Sequence, residues 1–258
     1  MSTYVVVGAS RGIGYALLKK FSSDPANTVV GIVRTPAPTE EQVRKDGLNA
    51  TIVQGDMTNY RSLLSAAEKV HKPVDYLWVN GGHLHDDTAG KFFTDYTVDN
   101  YDKMTDDLRK GFETNVLGVI NTINAFLPLV QKSEIKKVIT LTTGLADDNL
   151  TRDYGIWETA AYSVGKAATN TVIAKYDAKF RSEGILFLGI SPGVVDVGKP
   201  SSETGQNLGA KFYKYSKGLK VLKPEESVEA MLKVVDESRA EGDGGQFYSH
   251  LGRHQRWL

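Results

Sequence analysis

The stretch Tyr4-Val5-Val6-Val7-Gly8-Ala9-Ser10-Arg11-Gly12-Ile13-Gly14 decides the fold. A short, unbroken apolar run reads as a strand buried on both faces, the pattern of a parallel sheet. Glycines follow in a G-x3-G-x-G spacing, and an amphipathic segment over 13–21 comes directly after them. Glycine lets the chain turn tightly, lets backbone approach a ligand, and lets helix pack against strand. A helix that starts there turns its free N–H groups toward the loop, which suits a pyrophosphate. Gly8, Ser10, Arg11, Gly12, Ile13 and Gly14 are therefore the first candidate dinucleotide contacts.

Working outward, short β-branched runs alternate with longer amphipathic segments along the whole chain. Strands are expected over 4–7, 29–33, 51–54, 76–80, 137–141, 186–190 and 246–248. Helices are expected over 13–21, 60–71, 101–130, 159–182 and 225–238. This alternation predicts right-handed βαβ units and an α/β fold with a doubly wound, parallel, seven-stranded sheet. With 258 residues, 41% of them hydrophobic, the chain can build one large core, and residues 1–258 read as a single domain. Residues 197–223 form a long irregular stretch with Phe212, Tyr213 and Tyr215, read as a lid over substrate.

Strand two ends in Gly31-Ile32-Val33-Arg34. An acidic residue there would bind the ribose 2′-hydroxyl of NAD(H); instead Arg34, with Arg11, suits a 2′-phosphate. The expected cofactor is NADP(H) in preference to NAD(H). Further signals fall at successive strand ends, where doubly wound sheets bind ligands. These are Asp56-Met57, Asn80-Gly81-Gly82, Thr142-Thr143-Gly144, and Pro192-Gly193 with Val195 just beyond. Asn115 lies inside a helical pattern, where asparagine is unfavourable and calls for a reason. Tyr162 and Lys166 are four apart and share one helix face.

Together these motifs resemble the short-chain dehydrogenase/reductase family over nearly the whole chain. Gly8 to Gly14 look like its cofactor loop, Asn80-Gly81-Gly82 like its Asn-Ala-Gly, and Tyr162 with Lys166 match its Tyr-x-x-x-Lys. Asn115 matches its helix asparagine and Pro192-Gly193 its Pro-Gly. The ending, Gly244-Gly245-Gln246-Phe247 to Trp257, resembles the C-factor and sniffer carbonyl-reductase branch. The N-terminal third is also similar to fungal ketoreductases of secondary metabolism. The resemblance implies a Rossmann fold, and Asn115 and Tyr162 on helices of a homodimer or homotetramer interface. It also implies that Asn115 holds a water relaying protons to Lys166. Thr143, or else Thr142, stands in for the family's serine. Thr143 precedes Tyr162 by 19 positions, more than is usual, so 145–157 are expected to form an extra loop over the substrate. Val197 replaces a frequent nicotinamide-binding threonine.

Carbonyl reduction needs a hydride donor, a proton donor and a hydrogen-bond donor for the developing alkoxide. A free tyrosine titrates near ~10. An ammonium about 4 Å away at an effective dielectric of about 20 supplies roughly 4 kcal/mol, at most about three pH units. Lys166 is thus expected to bring Tyr162 toward neutrality, as befits a general acid in reduction. Thr143 would bind the substrate oxygen. The function read from this is NADPH-dependent reduction of a ketone or aldehyde of small, apolar or aromatic type. Isomerisation, dehydration or cyclisation on the same fold is the alternative, as is a catalytically degenerate dinucleotide sensor.

Composition narrows the remainder. Lys+Arg 31 balances Asp+Glu 31, so no uniform field favours nucleic acid or an anionic membrane. The chain has no cysteine, hence no disulfide or thiolate chemistry. His83, His85, Asp86 and Asp87 have no recognisable metal spacing and read as a loop at the substrate mouth, so no metal is expected. The first apolar run is too short for a signal peptide or a membrane span, and a cytoplasmic location is expected.

Overall fold

The computed structural model describes residues 1–84, 90–198 and 220–253. Seven strands form the sheet: β1 (Thr3–Val7), β2 (Thr28–Val33), β3 (Thr51–Gln54), β4 (Tyr76–Val79), β5 (Lys137–Leu141), β6 (Leu186–Ser191) and β7 (Phe247–Ser249). Their order is β3-β2-β1-β4-β5-β6-β7, with every neighbouring pair parallel. The winding reverses beside β1, which runs between β2 and β4. Such a reversal opens a crevice beyond the carboxyl ends of the strands.

Alternate residues of each strand enter different cores, as the two-residue period of a strand requires. Val5 and Val7 join Leu63, Ile123, Phe126 and Ile173 on one face. Val6 joins Leu17, Leu18, Trp78, Met231 and Val235 on the other. The helices covering these faces are α1 (Gly12–Ser22), α2 (Pro36–Lys45), α3 (Tyr60–Glu68), α4 (Tyr101–Phe112), α5 (Gly118–Val130), α6 (Asp148–Tyr154), α7 (Ala160–Phe180) and α8 (Pro224–Glu237). Among the described residues none is long and apolar enough to cross a membrane.

Besides shifts of one to three residues at element ends, the expected elements differ from the structure in four places. Helix α2 was not anticipated: it begins with Pro36 at its first turn and buries only Thr39 and Val43, too little for an apolar period. The helix expected over 101–130 is broken by a π-helical turn, Glu113–Leu117, into α4 and α5. The loop expected over 145–157 contains α6, capped by Asp147 Oδ1, which accepts from Asn149 N at 2.8 Å, and closed by Gly155 at φ 64. Strand four stops at Val79, because Asn80 and Gly81 both turn their N–H groups onto the Val7 carbonyl at 3.0 Å. Most of the expected lid, 199–219, lies outside the described residues, as do His85, Asp86, Asp87 and the tail from 254.

Candidate functional site

The glycine loop is built on close approach. Gly8 has φ +85, and a Cβ there would sit 2.6 Å from Gly81 N. A Cβ on Gly14 would fall on the Gly8 carbonyl oxygen and 2.6 Å from Asn80 Nδ2. Asn80 Nδ2 in turn donates to the Gly8 carbonyl at 2.7 Å. The ends of β1 and β4 are thereby fixed to each other at the reversal of the sheet. Ser10 and Arg11 are exposed at the start of α1, and no side chain caps that helix. Its first N–H groups, orphaned by helix geometry, are left for solvent or an anion.

Arg34, directly after β2, is exposed, and neither Arg34 nor Arg11 makes an ion pair among the described residues. Asp56, beyond β3, spends Oδ1 on its own turn, accepting from Thr58 N and Oγ1 at 2.9 Å each. Met57 is buried with its sulfur where a Cβ on Gly81 would lie. Only a glycine at 81 leaves the crevice floor this shape.

Lys166 and Asn115 meet at the end of β4. A Cβ on Gly82 would be 3.3 Å from Asn115 Oδ1 and 3.4 Å from Lys166 Nζ. Lys166 is 3% exposed and donates to the Leu141 carbonyl at 2.8 Å; its other two N–H groups have no partner among the described residues. Its ammonium lies 5.9 Å from the centroid of the Tyr162 ring, one helical turn back on α7. Burial drives the Tyr162 hydroxyl up to about 12 and Lys166 down to about 8. The expectation that Lys166 would draw Tyr162 toward neutrality is therefore not met by the protein's own groups. Loss of hydration on burial moves both groups toward their neutral forms.

Asn115, fully buried within the π-helical turn, grips the main chain of His83 from both sides. Its Oδ1 accepts from His83 N at 2.8 Å and its Nδ2 donates to the His83 carbonyl at 2.9 Å. The Asn115 carbonyl accepts from Thr169 Oγ1 at 2.6 Å. The extra residue of a π turn shifts the helix register, which is how an asparagine of α4–α5 comes to face the loop after β4. His83 Nε2 lies 3.5 Å from Asp107 Oδ1. Among the described residues no group of three side chains could hold a metal.

Thr142 and Thr143 follow β5 and differ in setting. Thr142 is 3% exposed, its methyl faces the place of a Cβ on Gly189, and its hydroxyl has no partner among the described residues. Thr143 is partly exposed, and its hydroxyl accepts weakly from Leu145 N at 3.3 Å. Trp157, beyond α6, is exposed and packs edge-on to Phe92 at 6.3 Å.

At the end of β6, the Pro192 carbonyl accepts from Ser227 Oγ at 2.7 Å. Gly193 turns at φ +81, and Val195 bridges in parallel to Leu222. Val197, where the resemblance placed a threonine in other members, lies 3.2 Å from a Cβ on Gly12, so the chain crosses the glycine loop there. The sequence reading missed His250. Its imidazole packs against Gly193 from the segment after β7, and no motif around it gave a signal. A separate cavity of about 820 Å³ opens between α6 and the chain near β7, lined by Leu150, Tyr154, Phe247 and Arg253 but by none of the candidate residues.

The profile of the short chain dehydrogenase family matches residues 2–207. The chain is 38% identical to the short-chain dehydrogenase/reductase AacuF of Aspergillus aculeatus, over the full length of both. It is 35% identical to the short chain dehydrogenase virK of Hypocrea virens, again over both full lengths. Among solved structures, the NADPH-bound carbonyl reductase from chicken fatty liver superposes with a TM-score of 0.77 at 21% identity, covering 100% of this chain and 99% of that one. At that identity the likeness speaks for the fold.

Proposed function

Because this chain belongs to the short-chain dehydrogenase/reductase family, we propose that it reduces a ketone or aldehyde with NADPH, Tyr162 serving as the proton donor. The observation that carries the reading is Lys166: a buried ammonium beside Tyr162, with two donors unmet among the described residues, opening toward Gly82. An ammonium so placed is costly unless a ligand completes it. Ribose hydroxyls have the acceptors it lacks.

The residues fit the dinucleotide elsewhere too. Gly8, Gly14 and Gly81 leave room where side chains would block a pyrophosphate, and the uncapped start of α1 faces it. Ser10, Gly12 and Ile13 would line that loop; Asp56 and Met57 would flank the adenine; Asn80, Gly81, Pro192, Gly193 and Val195 would border the nicotinamide half. Arg11 and Arg34, exposed and without ion pairs among the described residues, favour the 2′-phosphate of NADP(H) over NAD(H). The bound cofactor supplies the hydride.

The side chains supply the rest. Tyr162, held protonated by its surroundings, gives its proton to the carbonyl oxygen as charge builds there. Thr143 donates a second hydrogen bond to that oxygen. Lys166 keeps positive charge beside the phenolate that Tyr162 becomes, and Asn115 fixes the loop at His83 against which Lys166 packs. Trp157 and Phe92 give the mouth an aromatic wall suited to an apolar or aromatic substrate. Loss of NADPH absorbance is the test, run against a panel of aryl ketones, aliphatic ketones, aldehydes and quinones. Consumption of NADPH with at least one carbonyl is expected; none with any of them would refute a reductase.

A further inference from the structure

The segment after β7 reaches back to the Pro192–Val195 turn, and it does so through one side chain. His250 continues the pairing of β7, its N–H donating to the Ser191 carbonyl at 2.9 Å. Its ring occupies the room left by the missing side chain of Gly193. A Cβ there would lie 2.6 Å from Cε1, 2.9 Å from Nδ1 and 3.0 Å from Nε2. Burial pushes this histidine below its ordinary titration, favouring the neutral ring, and Nδ1 is sealed from water with no partner among the described residues. A buried nitrogen without a partner is unfavourable for stability, and a phenyl ring would fill space without it. The turn is gripped from its other end by fully buried Ser227, which donates to the Pro192 carbonyl.

The consequence of that grip appears at Val195. Leu222 N donates to the Val194 carbonyl at 2.8 Å, and Asp196 N donates to the Leu222 carbonyl at 2.9 Å. In this parallel arrangement the N–H and C=O of Val195 itself point away from Leu222, and they make no backbone hydrogen bond among the described residues. An unused main-chain donor and acceptor, side by side, match a carboxamide.

We propose that His250 is a positioning residue for the nicotinamide end of the cofactor: seated against Gly193, it holds the Pro192–Val195 turn so that the Val195 main chain stays open to the carboxamide. The proposal rests on the NADP(H) reading above. It assigns part of the cofactor site to the last described strand and the residues after it, far in sequence from the glycine loop.

Two ligands separate this role from a general structural one. NADPH spans the whole site, whereas 2′,5′-ADP carries only the adenosine end with its 2′-phosphate. Calorimetric titration of His250→Ala should show NADPH weakened by about tenfold and 2′,5′-ADP changed by less than about twofold. Gly193→Ala should also weaken NADPH, since its methyl displaces the ring, and should weaken it less when placed in the His250→Ala background. His250→Asn, which keeps a planar polar group in the slot, should recover part of the NADPH affinity. Equal losses for both ligands, NADPH affinity unchanged in His250→Ala, or strictly additive losses with Gly193→Ala would each overturn the proposal. Failure of the unaltered protein to bind either ligand would instead refute the cofactor reading, and the proposal with it.

Discussion

The side-chain amide of Asn80 donates to the carbonyl of Gly8 at 2.7 Å, which ties the end of β4 to the first glycine of the loop after β1. Together with the Asn80 and Gly81 N–H groups on the Val7 carbonyl, this bond holds the two strand ends against each other where the sheet reverses. Asn80→Asp keeps the shape but replaces a donor with a carboxylate facing a carbonyl oxygen. Stability should fall by about 1–3 kcal/mol in urea unfolding, and NADPH affinity should fall with it. An unfolding free energy within about 0.5 kcal/mol of the unaltered protein would mean the bond is incidental.

Tyr162→Phe should abolish carbonyl reduction and leave NADPH binding nearly intact, since the hydroxyl is asked only for a proton. Tyr162 remains protonated to about pH 12 in the free protein, so its acid form is available throughout the neutral range. Turnover of Tyr162→Phe within about tenfold of the unaltered enzyme would show that the proton comes from another group.

Lys166 gives a pH dependence of stability whose sign can be worked out. Its folded value, about 8, lies below the 10.5 of an unburied lysine. Between those values the unfolded chain binds more protons than the folded one, so stability rises with pH across that window. The cost of burying the charge is fully present below about pH 8 and is relieved toward pH 10.5. Lys166→Met removes this dependence. Its stability should gain less with pH than that of the unaltered protein, by up to ~1.4 kcal/mol per pH unit between pH 8 and pH 10. Parallel urea midpoints for the two proteins across that range would contradict the burial of a charged Lys166.

Cofactor choice rests on two exposed arginines. Arg34→Ala should weaken NADPH by about ten- to hundredfold and NADH hardly at all, because only NADPH carries the 2′-phosphate. Titration with both cofactors decides it, and an equal loss for each would remove Arg34 from that site.

The parts of the site legible in the sequence were those whose chemistry sits in neighbouring residues. Gly8 to Gly14 announce a turn and a helix start, and Tyr162 with Lys166 need only the helical repeat to share a face. The strands were legible because Val5, Val6 and Val7 are buried on both sides of the sheet. Contacts between distant residues were not. Nothing near Asn115 in the sequence reveals that it clamps His83, because the π-helical turn that aims it has no side-chain signature. His250 meets Gly193 only after β7 has paired with β6. The Tyr162–Lys166 pair shows the limit from another side: spacing gave the proximity, but burial, which sets the direction of both titrations, depends on the packed surroundings.

The surroundings of the two threonines after β5 distinguish their roles. Thr142 and Thr143 lie just beyond β5 and differ in burial and in partners. Thr142 is buried with its methyl toward Gly189 and its hydroxyl without a partner among the described residues, an arrangement that serves packing. Thr143 is partly exposed and, among the described residues, holds only a long bond from Leu145 N, which leaves its O–H to donate. Thr143→Val keeps the shape and removes the donor; turnover with one ketone should fall by ~10²–10³ with NADPH affinity unchanged. Thr143→Ser should stay active. Thr142→Val removes an unpartnered buried hydroxyl, so it should leave turnover intact and hold or raise the melting temperature. Collapse of turnover in Thr142→Val alone would move the role one residue back along the chain. Full activity in both valine variants would mean that β5 supplies no hydroxyl to the substrate, and that Tyr162 alone stabilises the developing alkoxide.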